Sequence, residues 1–423
     1  MTQDTKLRRL EKTMNDENKY SLTSIFSCYV AIIPILQYYI SPVSSLNLAT
    51  FISFLFLFLF FLCVAINGWK FYVEKLILPL SLYVLFIFAN VVITSSIFDY
   101  SYSWNNLGPL VRLIFLYVSL MALGNRYFDV NKAFLFLEKV LVLSAIFIFI
   151  HAVLYSFAHI RLNPIIQPLV TTDSLNLDLN SVRSGGFYME PAHYAQSAIL
   201  YICYRLFPAK YNRKVMDRNL LIIIGGVIFS GSGQGYVMLA AVYAVWVVYS
   251  LFMERASKKK ITTVMASIVV VIIILVFLLQ IPFVQNAVNR FIATDSGVNT
   301  LGGQALAGRS YTNHYFHEFN SLKKVTGIGF GHIASITRGG YTNSLYSHLI
   351  QCGYPSIVFL MYIIVYYFRR GIVATKVHVI LYAIMITFSA MANPMMLCYF
   401  TQFYIGMCKQ KREMIAEGEL VND

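Results

Sequence analysis

The sequence has little charge, little negative charge in particular, and few cysteines. Only 12% of its 423 residues are charged, and 19 acidic residues stand against 33 Lys and Arg. Soluble globular domains carry about 25% charged residues, so this composition excludes an ordinary soluble domain. The six cysteines have no CxxC spacing, and we therefore expect neither disulfides nor a zinc site. The chain also shows no repeat array and no nucleotide-binding loop.

Long apolar runs take the place of charge. Hydrophobic residues make up 58% of the chain, and its mean hydropathy is +0.64. A hydrocarbon core of about 30 Å requires about 20 apolar residues per helix, which predicts an all-α polytopic membrane protein with about 12 transmembrane helices. The predicted spans are 21–40, 47–66, 76–94, 107–123, 134–157, 191–207, 219–231, 236–253, 261–281, 344–368, 377–392 and 394–408.

Residues 21–408 are thus predicted to form a single transmembrane domain between polar tails at 1–20 and 409–423. The polar start leads directly into a full-length span, so we expect no cleavable signal peptide.

Lysine and arginine mark one side of the predicted bundle. Most of them lie in seven clusters at alternate junctions between spans: Lys6 to Lys19, Lys70 to Lys75, Arg126 to Lys132, Lys210 to Arg218, Arg255 to Lys260, Arg369 to Lys376 and Lys409 to Arg412. The positive-inside rule makes these junctions cytoplasmic, together with both termini. The net charge of +14 then reflects topology, so we expect the lipid bilayer as a partner and no nucleic acid.

Two connections on the opposite, extracytoplasmic side are far longer than a helix connection requires. They cover residues 158–190 and 282–343, and they contain Phe, Tyr, Ile and Val without a Pro or Ser run. This composition favours ordered, functional loops over disordered linkers. Apolar residues at helical spacing predict short amphipathic helices at 283–293 and 310–322 in the second loop.

A Ser-Gly-rich turn from Ser230 to Gly235 separates the seventh and eighth predicted spans. Two interpretations are open. A helix broken at membrane depth is tolerated mainly where it lines a cavity, and the alternative is a tight reversal between two helices.

The first long loop ends with Arg183-Ser-Gly-Gly-Phe-Tyr-Met-Glu190-Pro191. Pro191 suits the first position of a helix, so Glu190 is the natural cap, with its carboxylate near the positive end of the helix dipole. Capping alone is one explanation of this glutamate. Because an ionisable residue at the mouth of a span is costly unless it is used, and Arg183 is only a Gly-Gly turn away, we favour a functional pair.

The second long loop holds further candidates. Arg309 lies at the predicted start of the amphipathic helix, where a guanidinium and free backbone N–H groups suit a phosphate; a solvated surface arginine is the alternative. Arg338 lies in a Gly-rich stretch of the same loop. His332 and His348 are candidates for a general base near membrane depth, although a lone histidine in a helix is most often a packed residue.

Four stretches together resemble the bacterial Wzy-type polysaccharide polymerases of the O-antigen polymerase/ligase superfamily. They are Arg183 to Pro191, Ser230 to Gly235, Gly308-Arg309, and Gly327 to Gly331 followed by Tyr341 to Ser344. The chain departs from ligase-like members at Thr342, where they often have His, and at Gln351, where an acidic residue is common. These departures leave the general base unassigned.

The resemblance implies a cofactor-free, metal-independent glycosyltransferase of the bacterial inner membrane. It would polymerise undecaprenyl-diphosphate-linked repeats into O-antigen (the polymer of lipopolysaccharide) or capsular polysaccharide on the outer face of that membrane. Arg183, Arg309 and Arg338 would bind the diphosphate, and Glu190, His332 or His348 would accept the proton of the acceptor hydroxyl. Lipid-linked glycans, a chain-length regulator and a flippase are the implied partners.

Two alternatives to a polymerase stay open at this point. One is an O-antigen ligase, and the other is a lipid-linked oligosaccharide transporter or flippase. Sparse charge within the predicted spans argues against a transporter.

Overall fold

The computed structural model describes residues 22–43, 46–66, 74–98, 104–169, 183–188, 190–207, 217–252, 262, 265–269, 280, 314–333, 344–388 and 394–416. It is nearly all helical, at 85%, and no strand occurs in these ranges. The predicted all-α class is therefore confirmed. An isolated antiparallel bridge between Ile40 and Asn47 closes the first short connection.

While the ninth predicted span, 261–281, lies largely outside the described residues, helices occur in most of the predicted apolar runs. They are α1 (Leu22–Leu36), α2 (Leu48–Ile66), α3 (Leu78–Phe98), α4 (Trp104–Tyr127), α5 (Val130–Ala158), α6 (Asn163–Ile166), α7 (Pro191–Leu206), α8 (Arg218–Phe229), α9 (Gly233–Phe252), α10 (314–318), α11 (Ser321–Thr326), α12 (Ser344–Cys352), α13 (Pro355–Arg370), α14 (Val373–Phe388) and α15 (Pro394–Ala416). Helical residues also occur at 265–269. Five helices, α2, α3, α4, α5 and α9, contain a stretch long and apolar enough to cross a membrane.

The outer surface of the bundle is apolar. On α2, Phe54, Phe58 and Phe61 are each about half exposed, and Leu85 and Val92 on α3 are exposed to the same degree or more. Soluble monomers rarely present contiguous apolar patches of this kind. A bilayer covers such a surface without cost, and the membrane character predicted from the composition is thereby supported.

Helix ends that carry basic clusters meet at one end of the bundle, here called the basic end. Asn131 at the start of α5 accepts hydrogen bonds from Tyr204 at the end of α7 (2.8 Å) and from Gln410 in α15 (3.2 Å). The Cys408 thiol of α15 donates to the carbonyl of Arg370 at the end of α13 (3.5 Å). These contacts bring together the helix ends beside four of the seven basic clusters, at the start of α5, the end of α7, the end of α13 and in α15.

A network of charged and polar side chains joins three helices near the basic end, and we call it the ion network. Arg205 of α7 contacts Asp217, the N-cap of α8, at 2.5 Å and Glu138 of α5 at 3.6 Å. Tyr201 and Asn219 each donate a hydrogen bond to Glu138, at 2.5 and 2.6 Å. Each carboxylate thus has a cation and at least one further donor.

The tenth predicted span, 344–368, is not one helix. It is divided into α12 and α13 at Gly353, whose φ is +68°. The last carbonyls of α12 do not continue the helix because Ile350 and Gln351 accept hydrogen bonds from the backbone N–H groups of Ile328 and Gly329, both at 2.9 Å. Partners from another segment thus satisfy a helix end in the interior of an apolar run.

The predicted amphipathic helix at 310–322 also differs from the structure. Over the described residues, α10 ends at 318 and a separate helix, α11, begins at Ser321. Asn320 separates them because its side chain caps α11 by accepting from the N–H of Lys323 at 2.9 Å. The amphipathic helix predicted at 283–293 lies outside the described residues.

Candidate functional site

The segment Arg183 to Glu190 lies at mid-depth in the bundle. Its Gly186 packs against Ser144, which is 14 residues from either end of α5. At 1.5 Å per residue, Ser144 is about 21 Å from each end of that helix. The 16-residue helix α7, which follows the segment and runs to the basic end, is about 24 Å long, less than the hydrocarbon thickness of about 30 Å. The loop therefore enters the bundle and does not remain at its surface.

The two glycines permit this close packing. A Cβ on Gly186, whose φ is +65°, would lie 2.8 Å from the Cβ of Ser144. A Cβ on Gly185 would lie 2.7 Å from the backbone of Glu190. Gly186 requires glycine for its positive φ, and Gly185 requires it for the close approach of backbone, so both residues hold the loop in its turn.

The turn from Ser230 to Gly235 packs against the side chain of Arg183. A Cβ on Gly235 would lie 3.0 Å from the side chain of Val227, and the Tyr236 hydroxyl donates to the carbonyl of Ile228 at 2.7 Å. Helix α9 thus folds back along α8, whose 12 residues rise only about 18 Å from the basic end. The tight reversal between two helices is therefore observed.

Arg183 lies directly on that turn. Its Cγ is 3.0 Å from where a Cβ on Gly231 would be, and its charge acts on the Tyr236 hydroxyl. Its backbone carbonyl accepts from the Asn163 side chain at 3.0 Å. The arginine is thus anchored on both sides between α6 and the reversal.

Glu190 precedes α7 as predicted, with Pro191 as the first helical residue. Its backbone carbonyl accepts from the N–H of His193 at 3.0 Å, but its side chain makes no capping hydrogen bond. Capping therefore does not account for the carboxylate, which is half-buried.

Tyr38 connects this segment to a second arginine. Its hydroxyl is 3.0 Å from Nε2 of the buried His193, and it is subject to the charges of both Glu190 and Arg112. Arg112 belongs to α4 and lies 15 residues before the C-terminal end of that helix, which carries Arg126. This corresponds to about 22 Å. Two guanidinium groups, a carboxylate and an imidazole thus lie at a similar level of the bundle. We call this set the mid-depth site.

Buried polar atoms continue from the mid-depth site along α7. Nδ1 of His193 and both amide atoms of Gln196 are buried, and no side chain or backbone group of the described chain bonds to them. These residues are only 2% and 1% exposed. Buried polar atoms in proteins are almost always hydrogen-bonded, to protein or to water. This face of α7 can therefore accept hydroxyl groups of a ligand or of water.

His332 and His348 lie in a different part of the fold, on either side of Gln351. The N–H of Gly331 donates to Oε1 of Gln351 at 2.9 Å. Nε2 of Gln351 in turn donates to the hydroxyl of Ser347 at 3.0 Å. The Gln351 amide both accepts and donates here, which an ionised carboxylate cannot do.

The two histidines differ in their surroundings. Burial lowers the pKa of His332 from its ordinary value, so its imidazole is neutral at neutral pH and able to accept a proton. His348 bonds through Nδ1 to the carbonyl of Ser344 at 2.5 Å, and its ring centroid is 6.0 Å from that of Tyr83. Its Nε2 is buried without a partner in the described chain.

The structure thus places Arg183 and Glu190 at the two ends of one loop segment, and His332 and His348 in a second region around Gln351. Arg309 and Arg338 lie outside the described residues. Sequence reasoning assigned no role to Arg112, Tyr38, His193 and Gln196. Two signals were present: Arg112 is an isolated charge in an apolar run, and His193 and Gln196 follow Glu190 at three-residue spacing, on one face of α7.

No protein-family model matches the chain, and no curated protein has significant sequence similarity to it. Among the described residues, no three His, Cys, Asp or Glu side chains are grouped as ligands for a metal ion.

Proposed function

We propose that this protein is a glycosyltransferase that polymerises undecaprenyl-diphosphate-linked oligosaccharide repeats at the outer face of the bacterial inner membrane. The mid-depth site is the observation that carries the proposal. Ionisable groups inside an apolar bundle are costly and mark substrate sites. Guanidinium groups suit a diphosphate in particular because they donate in pairs to its oxygens. The motif resemblance to Wzy-type polymerases names the same segment, Arg183 to Pro191.

The proposed reaction forms one glycosidic bond and breaks one bond, that between the anomeric carbon of the donor and the oxygen of its diphosphate. An acceptor hydroxyl attacks the anomeric carbon of the donor glycan, undecaprenyl diphosphate leaves, and a base takes the hydroxyl proton. Arg183, with Arg309 from the second long loop and Arg338 as a further candidate, would stabilise the negative charge on the leaving diphosphate. Glu190 is our first choice of base, ahead of His332 and His348, because it shares a segment with Arg183.

The orientation of the bundle in the membrane is part of this proposal. With the basic end and both termini in the cytoplasm, the mid-depth site would open to the outer face. The long loops would enclose the sugars, and the lipid tails would lie between helices. A flippase would deliver the repeats, and a chain-length regulator would act on the product.

Replacement of Arg183 by Ala tests the proposal. We expect polymer formation by the purified protein, given synthetic lipid-linked repeats, to fall by about 10²- to 10³-fold, the usual cost of losing one donor to a developing oxyanion. In cells, long polysaccharide chains should be replaced by acceptor carrying one repeat. Arg369→Ala, at the exposed end of α13, is the matched control and should leave chain length unchanged.

The same experiment separates a polymerase from a ligase. Loss of a ligase leaves the acceptor without any repeat and accumulates lipid-linked polymer. Normal long chains from Arg183→Ala, at wild-type protein level, would exclude the assignment of this residue.

A transporter of lipid-linked oligosaccharides is the second candidate, and one observation favours it. A short helix that reverses at mid-depth next to ionisable side chains is an arrangement that transporters also use. Chain growth by detergent-solubilised protein, where no membrane separates two compartments, would support the enzyme. Translocation in liposomes without chain growth would support the transporter.

A further inference from the structure

A cavity of about 260 Å³ lies at the basic end of the bundle, away from the mid-depth site. Its lining consists of Leu76, Arg370, Cys408, Lys411, Arg412 and Ile415. Leu76 and Cys408 are buried and form an apolar floor, while Arg412 is exposed at the rim. The cavity thus combines an apolar interior with cationic walls.

Three chain segments build this cavity and hold it in place. The Tyr367 hydroxyl of α13 donates to the carbonyl of Leu76, in the turn before α3, at 2.7 Å. Arg412 of α15 donates to Glu74 in the same turn at 3.3 Å. The contact of Cys408 with Arg370 closes the third side. The walls are therefore fixed by packing from α3, α13 and α15.

The charge around the cavity is strongly positive. Glu74 is 3.3 Å from Arg412 and 3.9 Å from Lys409. Within the described part of the chain, Arg370 and Lys411 have no carboxylate partner. Arg370 lies over the ring of Tyr366, 4.4 Å from its centroid, which holds the guanidinium in one place without neutralising it.

The apolar surface that faces lipid ends next to these cations. Val365 and Phe368, in the last two turns of α13, are each 40% exposed, and Leu78 at the start of α3 is 50% exposed. The cavity therefore lies where an apolar band meets a polar rim, at the level where phospholipid headgroups are found.

We propose that this cavity binds one anionic phospholipid. Its phosphate would lie between Arg370 and Lys411, and its acyl chains would follow the exposed apolar faces of α3 and α13. The charge selects the ligand, because a zwitterionic lipid brings a cation of its own that the basic walls repel.

Native mass spectrometry of the full-length protein in detergent, titrated with phosphatidylglycerol, tests the proposal. We expect one tightly bound lipid, and about thirtyfold weaker binding in the double variant Arg370→Gln/Lys411→Gln, since each basic side chain near a headgroup contributes about 1 kcal/mol. This variant keeps the Arg412–Glu74 pair. The control, Arg126→Gln/Arg218→Gln, removes two exposed charges from the same end but not from the cavity, and should bind the lipid as the wild type does.

A second variant protects the test against a folding defect. Ile415→Trp fills the cavity and keeps every charge, so it should also abolish the tight site. The same titration is carried out with phosphatidylcholine, and inorganic phosphate is added as a competitor. The proposal would be overturned if the cavity and control variants lost phosphatidylglycerol affinity equally, or if phosphatidylcholine bound as tightly as phosphatidylglycerol. Either result would show nonspecific electrostatic attraction and no defined site. Displacement of the lipid by millimolar phosphate would make this a site for free phosphate and would overturn it as well.

Discussion

Two clusters of charged side chains lie inside this apolar bundle, and they are built in opposite ways. In the ion network, Arg205 contacts both Glu138 and Asp217, and Tyr201 and Asn219 supply further hydrogen bonds. In the mid-depth site, by contrast, His193 keeps one ring nitrogen, and the neighbouring Gln196 its whole amide, buried without partners in the described chain.

The difference shows what each cluster does. A cluster whose charges are paired with one another joins helices α5, α7 and α8, and has little left to offer a ligand. A cluster with unpaired buried donors and acceptors lowers the stability of the fold, which is common where a protein must bind a polar ligand. Variants should therefore affect folding in the first cluster and activity in the second.

Arg205→Ala should have the largest effect on stability. It removes the cation from Glu138, whose side chain is only 14% exposed, and breaking a buried pair in this way costs about 3–5 kcal/mol. Chemical unfolding in detergent micelles measures the loss. Arg369→Ala, at an exposed helix end, should change the free energy of unfolding by about 0.5 kcal/mol or less. Equal effects from the two variants would show that the ion network is not structural.

Gly226→Ala tests the helix packing between the two clusters, with a smaller expected effect. A Cβ here would overlap the hydroxyl of Tyr194 and lie 2.7 Å from the Cβ of Ala145, so α8 must move away from α5 and α7. Overpacking of this kind costs about 1–3 kcal/mol. At Gly108 of α4, no atom lies within 4 Å of an added Cβ, and Gly108→Ala should be neutral or slightly stabilising. A neutral Gly226→Ala would mean that α8 is loosely packed.

The sequence predicted the all-helical, membrane-type character because a membrane imposes a simple rule, an apolar run of sufficient length. It also placed Glu190 correctly before α7, since Pro191 marks a helix start by itself. The turn between Arg183 and Glu190 follows from Gly185 and Gly186. These features depend on residues that are close together in the chain.

What depends on distant residues was not predictable in this way. Tyr38 lies in the turn after α1, Arg112 in α4 and His193 in α7, and only packing brings them together. The break at Gly353 has a local signal in Gly353 and Pro355, which the span prediction did not use, but the hydrogen bonds that end α12 come from the distant Ile328 and Gly329. A pattern within one segment contains no information about the partner that interrupts it.

Gln196→Leu should have the smallest effect on stability and thus separates the two clusters most sharply. The Gln196 amide has no partner in the described chain, so its loss should leave the free energy of unfolding unchanged or raise it by about 1 kcal/mol at most. Gln402, equally buried, donates to the carbonyl of Gly124 at 3.2 Å, and Gln402→Leu should cost about 1–3 kcal/mol because that carbonyl loses its donor. If this face of α7 binds glycan hydroxyls, Gln196→Leu will lose polymer formation while remaining as stable as the wild type. If Gln196→Leu instead destabilises the protein as much as Gln402→Leu does, the amide has a structural partner and the mid-depth site ends at His193.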